Sequence, residues 1–510
     1  MSLLKKLVGQ TAIYGLSSIV GRFLNYFLVP LYTNVFSTEQ YGIVTEMYAY
    51  VSFLIVVLTY GMETAFFRFS TIESENKKPI YSTAVITIFS TSSLFILFAL
   101  LFSHPIANWL RYPNNNEYVI WFAIIVGLDA FSSIPLAKLR QENKAFRFAL
   151  VNLVSIGVNI LLNIFWVYYC KIGYETKGVH AGWFIDTFYN ADLISTFYNH
   201  NIGVGYIFIA NLIASIAKAV LLFPTAVKVE FKYHLSTLKK MLIYASPLLI
   251  VGLAGMVNET FDRIMLKYLL IDKLKEASTM RLLGIYGACY KISIIISISI
   301  QAFRYAAEPF FFNQQKNKDA KDLYSKVMTY FVMACSFVFL LIMMYIDIVM
   351  YYVGKDFRVG IAVVPILLLA NICLGIYYNL SIWYKLTGHT MYGAYVALGG
   401  AAITILLNYL LIPTMYYMGA AYTTLICYAA MMIASYIIGQ KFYPVNYSLK
   451  NISAYLGGAI ILYFINSFAL SHLNFSSLIS KLLFNTLFII GFLGIVYIFE
   501  TNKSEIQNKA

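Results

Sequence analysis

Fourteen apolar runs recur from one end of the chain to the other, and no other feature constrains the fold as tightly. They cover approximately 8–31, 41–65, 80–103, 118–138, 147–169, 204–225, 241–266, 283–304, 325–346, 360–384, 391–412, 417–440, 451–470 and 480–499. As a helix, each is long enough to cross a hydrocarbon core about 30 Å thick. They are too long for strands and lack the two-residue alternation of an outer-membrane barrel. Lipid offers the backbone no hydrogen-bond partner, so the runs must be helices. Composition agrees: 60% of residues are hydrophobic and 12% charged, about half the charged share of a soluble domain. Mean hydropathy is +0.72. The sequence predicts an all-α polytopic membrane protein with about 14 transmembrane helices. It excludes a soluble enzyme, a nucleic-acid-binding domain and a secreted disulfide scaffold.

The net charge of +14 then belongs to loops at a membrane surface. With the N-terminus inside, about 23 Lys and Arg fall on inside segments and about 10 on outside ones. Arg22, Lys218, Arg263 and Lys291 fall within runs. One outside segment dissents, carrying Lys267, Lys273, Lys275 and Arg281 between the seventh and eighth runs. The bias places both termini in the cytoplasm. The basic start Met1–Lys6 precedes an apolar run without a small-x-small cleavage site, so it reads as a retained first helix. Cys289, Cys335, Cys373 and Cys427 lie inside runs and Cys170 at the end of one, without metal or redox spacing. No cofactor or metal is expected. The six histidines are scattered over loops, and no hydrolase, zinc-protease or nucleotide-loop signature occurs.

The chain also repeats itself. Ile160-Leu161-Leu162-Asn163 matches Ile405-Leu406-Leu407-Asn408, and Leu139-Arg140 stands opposite Tyr384-Lys385 at the same offset. Gln40-Tyr41-Gly42-Ile43 resembles Leu283-Gly284-Ile285-Tyr286, and Arg22 parallels Arg263. Six runs per repeat is an even number, so the halves share an orientation and should be related by a pseudo-two-fold axis along the membrane normal. Boundaries follow: residues 1–235 form one six-helix lobe, 236–445 a second, and 446–510 two additional helices with a cytoplasmic tail.

An ionised group at mid-membrane costs roughly 2.5–3.5 kcal/mol even on translocon scales, so charges inside runs are functional candidates. Arg22 lies past the middle of run one, Asp129 near the middle of run four and Lys218 in the inner half of run six. Lys291 is about a third of the way into run eight, Glu46 near the outer end of run two, and Glu259, Asp262 and Arg263 near the outer end of run seven. Structural alternatives stand beside each. Asp262 and Arg263 could snorkel to headgroups, Glu259 and Arg263 have the spacing of a helical ion pair, and Asp129 or Lys218 could lock helices by pairing. Taken together, the charges of runs one, two, seven and eight suggest a hydrated cavity of cationic character. Such a cavity suits a diphosphate, which Arg binds bidentately and Lys as a point charge.

Several stretches carry a resemblance. Gly15 to Gly42 with Arg22, Pro30-Leu31-Tyr32 and Glu39-Gln40-Tyr41-Gly42, then Ser246-Pro247-Leu248, Asp262-Arg263 and Gly284 to Lys291, resemble polysaccharide biosynthesis proteins of the oligosaccharide flippase (Wzx-type) family. Ile134-Pro135-Leu136-Ala137, Leu139-Arg140 and Ala307-Glu308-Pro309-Phe310 fit the same pattern. The resemblance implies membership of the multidrug/oligosaccharidyl-lipid/polysaccharide exporter superfamily, with two six-helix lobes and two extra C-terminal helices. It implies a transporter of the bacterial inner membrane, not an enzyme. The implied cargo is an undecaprenyl-diphosphate-linked oligosaccharide, flipped to the periplasmic leaflet, with pathway polymerase and chain-length proteins as further partners. On that reading Arg22, Arg263 and Lys291 hold the diphosphate, Lys218 meets it early, Glu46, Glu259 and Asp262 orient the cations, and Asp129 couples an ion. The outside segment 171–203 is longer than the family's usual connection. A drug/cation antiporter of the same superfamily would instead present unpaired carboxylates, and a membrane polymerase or ligase a large charged outer loop.

Overall fold

A backbone in lipid must satisfy its own polar groups, and the chain does so with helices throughout. The computed structural model describes residues 19–21, 23–72, 77–227, 233–315, 317, 319–473, 475 and 477–509. Among these, 13 helical spans are long and apolar enough to cross a membrane. Half of the first expected run, 8–31, lies outside the described residues; its end continues into helix α1, Leu28–Val35. The spans are then α2 (Thr38–Thr71), α3 (Pro79–Leu101), α4 (Asn116–Gln141), α5 (Ala145–Thr176), α6 (Gly205–Ala226) and α7 (Leu235–Leu270). They continue as α8 (Glu276–Arg304), α9 (Ala320–Met344), α10 (Val363–Leu386), α11 (Met391–Met415), α12 (Tyr417–Phe442), α13 (Leu449–His472) and α14 (Leu478–Thr501). Every remaining expected run coincides with one of them.

Local chemistry sets their ends. Ser37 caps α2 by accepting from the Gln40 amide, while the Gln40 side chain accepts from the Ser37 amide. Within α2 the helix breaks at Tyr60 and Gly61, both left-handed, with φ of 34° and 74°. A Cβ on Gly61 would stand 3.1 Å from the Ala245 carbonyl of α7, so glycine serves both the bend and the approach.

The chain divides into two compact units, 1–284 and 285–510. In the first, α4 packs on α3 and α6, and α6 on α5. In the second, α10 packs on α9 and α12, and α12 on α11. The same adjacency thus recurs six helices later, and the repeated Asn163 and Asn408 are both fully buried. The last two helices, α13 and α14, pack on each other and on α9, with the Asn466 amide donating to Asn485 at 2.8 Å. Each unit has its own apolar core: Met62, Phe66, Tyr81, Ile88 and Ile134 in the first, and Ala370, Cys373, Tyr428 and Met431 in the second. The long segment after α5 folds into short helices, Trp183–Phe188 and Ala191–Phe197, which bury Ile185 and Ile194 against Tyr169, Cys170 and Tyr206.

At one end of the first unit, helices α2 and α8 approach at backbone distance. A Cβ on Gly42 would lie 2.1 Å from the Met280 carbonyl oxygen, and one on Gly284 would lie 1.8 Å from that of Thr38. Only glycine fits either position, which gives the two similar motifs read from the sequence a common physical reason.

Candidate functional site

Three charged constellations inside the membrane spans stand out among the described residues of the first unit. The most enclosed joins α2, α7 and the α3–α4 connection. Glu46 of α2 and Lys267 of α7 both have fully buried side chains. The Lys267 ammonium donates to Glu46 Oε1 at 2.8 Å, to Oε2 at 2.9 Å and to the Leu110 carbonyl at 2.8 Å. The same carboxylate accepts from Tyr50 at 2.7 Å and from Tyr112 at 2.5 Å, and Tyr50 reaches Tyr268 at 3.2 Å. The Lys267 ammonium also lies 4.3 Å from the centre of the Tyr112 ring. Burial first, then the Glu46 charge, pushes the Tyr112 phenol well above its ordinary range, so it stays a neutral donor. Two desolvated charges are tolerable only when their hydrogen-bonding capacity is met this fully.

The second constellation is Asp129 of α4 with Lys218 of α6. The ammonium donates to Asp129 Oδ1 at 2.7 Å, and Ser215 adds a bond to the same oxygen at 3.2 Å. Asp129 also lines a cavity of about 440 Å³, together with Asn25, Glu63, Ser133, Arg140 and Asn152. Eleven residues of α4 separate Asp129 from Arg140, about 16 Å of helix. The cavity therefore runs from mid-span toward the end of α4, where Arg140 is ion-paired with Glu63. Its wall carries both signs of charge.

The third is local to α7. The Arg263 guanidinium donates to the Glu259 backbone carbonyl at 2.6 Å and to Asp262 Oδ1 at 3.2 Å. Asp262 and Arg263 are buried, whereas Glu259 is exposed. The helical spacing of Glu259 and Arg263 is thus used through the Glu259 carbonyl oxygen.

The candidates read from the sequence are distributed accordingly. Asp129 meets Lys218, and Asp262 meets Arg263. Glu46 takes Lys267 as its cation. Lys291 is half-buried on α8 in the second unit. Arg22 lies outside the described residues. Lys267 itself was expected in an outer loop and is instead inside α7, because the helix continues to Leu270. No cluster of metal-ligating side chains occurs among the described residues.

Residues 7–181 match the profile of a family described as polysaccharide biosynthesis protein. A search of curated proteins returns no match. Among solved structures, the lipid II flippase MurJ in an inward closed conformation is similar, with a TM-score of 0.65 and 15% identity over 96% of this chain and 99% of that one. An inward-facing multidrug resistance MATE family transporter of the MOP superfamily is similar at a TM-score of 0.60 and 13% identity, over 87% of this chain and 95% of that one. The Vibrio cholerae MATE transporter VcmN in its bent form gives 0.54 and 12%, over 89% and 98%. The chain has the fold of these transporters.

Proposed function

We propose that this protein is a flippase that moves a lipid-linked oligosaccharide across the bacterial cytoplasmic membrane for polysaccharide biosynthesis. The cargo on this reading is an undecaprenyl-diphosphate-linked repeat unit, carried from the cytoplasmic to the periplasmic leaflet by alternating exposure of the two membrane faces. The observation that carries it is the state of three carboxylates inside the spans. Glu46, Asp129 and Asp262 each have a cation within 3.2 Å. A site built to attract an organic cation would leave such a carboxylate uncompensated, and the superfamily's drug antiporter reading is disfavoured on that ground. The family profile over residues 7–181 favours the same side.

In this mechanism Arg22, Arg263 and Lys291 bind the diphosphate, Lys218 assists early, and Glu46, Glu259 and Asp262 hold the positive groups in place. Asp129, already bonded to Lys218, would couple an ion only by releasing that lysine. Both termini are cytoplasmic, the polyprenyl tail stays in lipid, and the chemistry of sugar transfer belongs to other proteins of the pathway.

Complementation of a flippase-deficient strain tests the reading. Arg22→Ala and Arg263→Ala should each abolish surface polysaccharide while the protein stays in the membrane at its normal level. Surface polysaccharide restored by either variant would remove that residue from the binding set; restoration by both would remove the diphosphate-binding assignment.

A further inference from the structure

The second unit carries an amphiphilic site that the transport reading does not use. At the end of α10, Asn379 is 5% exposed, and its side-chain amide nitrogen has no partner among the described residues. It lines a small cleft with Arg304, Lys385, Tyr378, Phe303 and Ile382. The Arg304 guanidinium sits 4.1 Å from the centre of the Tyr378 ring, which fixes its plane and leaves its edge to donate. One wall, with Phe311 and Ile382, belongs to a buried cluster with Tyr324 and Val445, so the cleft is rigid. A buried donor without a partner, beside two cationic side chains, is the complement of an oxyanion.

An apolar groove adjoins it. Ile296, Ser299 and Phe303 of α8 and Val327, Phe331, Ala334 and Cys335 of α9 enclose about 470 Å³. Phe303 borders both spaces and packs on Phe331 with ring centres 4.5 Å apart. From Ile296 to Arg304 the helix rises about 12 Å. A polar cleft at the end of the spans and an apolar groove deeper along the same helix have the layout of one lipid, with headgroup above and chain below.

We infer that this is a binding site for an anionic membrane phospholipid, its phosphate seated at the cleft of Arg304, Asn379 and Lys385 and an acyl chain in the α8–α9 groove. The free volume of the cleft is about 20 Å³, room for one or two oxygen-sized atoms, so one edge of the phosphate enters and the rest stays at its mouth. The inference is independent of the transport reading.

Delipidated full-length protein in neutral detergent, titrated with dioleoyl phosphatidylglycerol and followed by native mass spectrometry, tests it. The wild type should bind one phosphatidylglycerol about ten-fold more tightly than dioleoylglycerol, which has the same chains and no phosphate. Arg304→Gln should erase that preference, Asn379→Leu should weaken binding several-fold, and Arg304→Lys should restore part of it. Ala334→Trp, which fills the groove, should weaken both lipids. Thermal unfolding of each lipid-free variant separates lost binding from lost fold. Equal affinity for the two lipids, or unchanged binding in both Arg304→Gln and Asn379→Leu, would overturn the site. Displacement of phosphatidylglycerol by equimolar geranylgeranyl diphosphate would overturn the phospholipid assignment.

Discussion

Replacing Lys267 with Met removes the cation that, among the described residues, bonds to the Glu46 carboxylate, and leaves the methylene stem's volume nearly intact. The lysine ammonium makes three bonds, two to the carboxylate and one to the Leu110 carbonyl. After substitution, Glu46 keeps, among the described residues, the hydroxyls of Tyr50 and Tyr112, and the Leu110 carbonyl loses the Lys267 donor. Breaking one side of a buried pair costs about 3–5 kcal/mol, and the two remaining hydroxyls place this case near the lower end. Adding Glu46→Gln removes the stranded charge. The double variant should then lose only about 1–3 kcal/mol, the cost of the unsatisfied carbonyl. It should therefore be more stable than Lys267→Met alone, with a coupling energy of about 2 kcal/mol or more. Unfolding in mixed micelles by titrated dodecyl sulfate, with tryptophan fluorescence as readout, measures all four corners of the cycle. A single-variant cost under about 1 kcal/mol, the value of an exposed pair, would refute the argument. So would a double variant whose loss equals the sum of the singles.

Gly284→Ala should destabilise by about 1–3 kcal/mol or more, because the new methyl meets backbone atoms of α2 that cannot rotate away. Gly255→Ala, with nothing within 4 Å of its Cβ, is the control, and thermal unfolding should show it neutral or slightly stabilised. At Lys291, Arg should retain much of the transport, Gln should lose most and Glu should be inactive in complementation; normal transport by Lys291→Gln would make the residue a packing one. A cysteine at Asp192 should be labelled by a membrane-impermeant maleimide from the periplasm, and labelling only after permeabilisation of the cytoplasmic side would reverse the topology.

Element existence was legible in the residues because length and polarity decide membrane helices almost alone. Thirteen described spans match runs read from hydropathy. The break at Tyr60 was not anticipated, since it depends on how closely α7 approaches Gly61. The site was legible in part. Asp129 and Lys218 stood out as charges inside apolar runs, but they are 89 residues apart in sequence, and only packing of α4 against α6 brings them to 2.7 Å. Lys267 was missed because a lysine after an apolar run reads as the start of a loop. The signal against that reading was present: Tyr268-Leu269-Leu270 continues the apolar run past the lysine. Lys267 also falls one helical turn beyond Arg263, on the same face. Its partner Glu46, 221 residues earlier, could be found only in the folded chain.

Reconstituted translocation tests the central claim most directly. Purified protein in proteoliposomes, supplied with a fluorescent undecaprenyl-diphosphate-linked oligosaccharide in one leaflet, should make that lipid accessible on the other side. Vesicles with Arg263→Ala should not, and wild-type vesicles should leave an organic cation such as ethidium where it was placed. Wild-type protein that moves ethidium and leaves the lipid-linked oligosaccharide in its original leaflet would contradict the account.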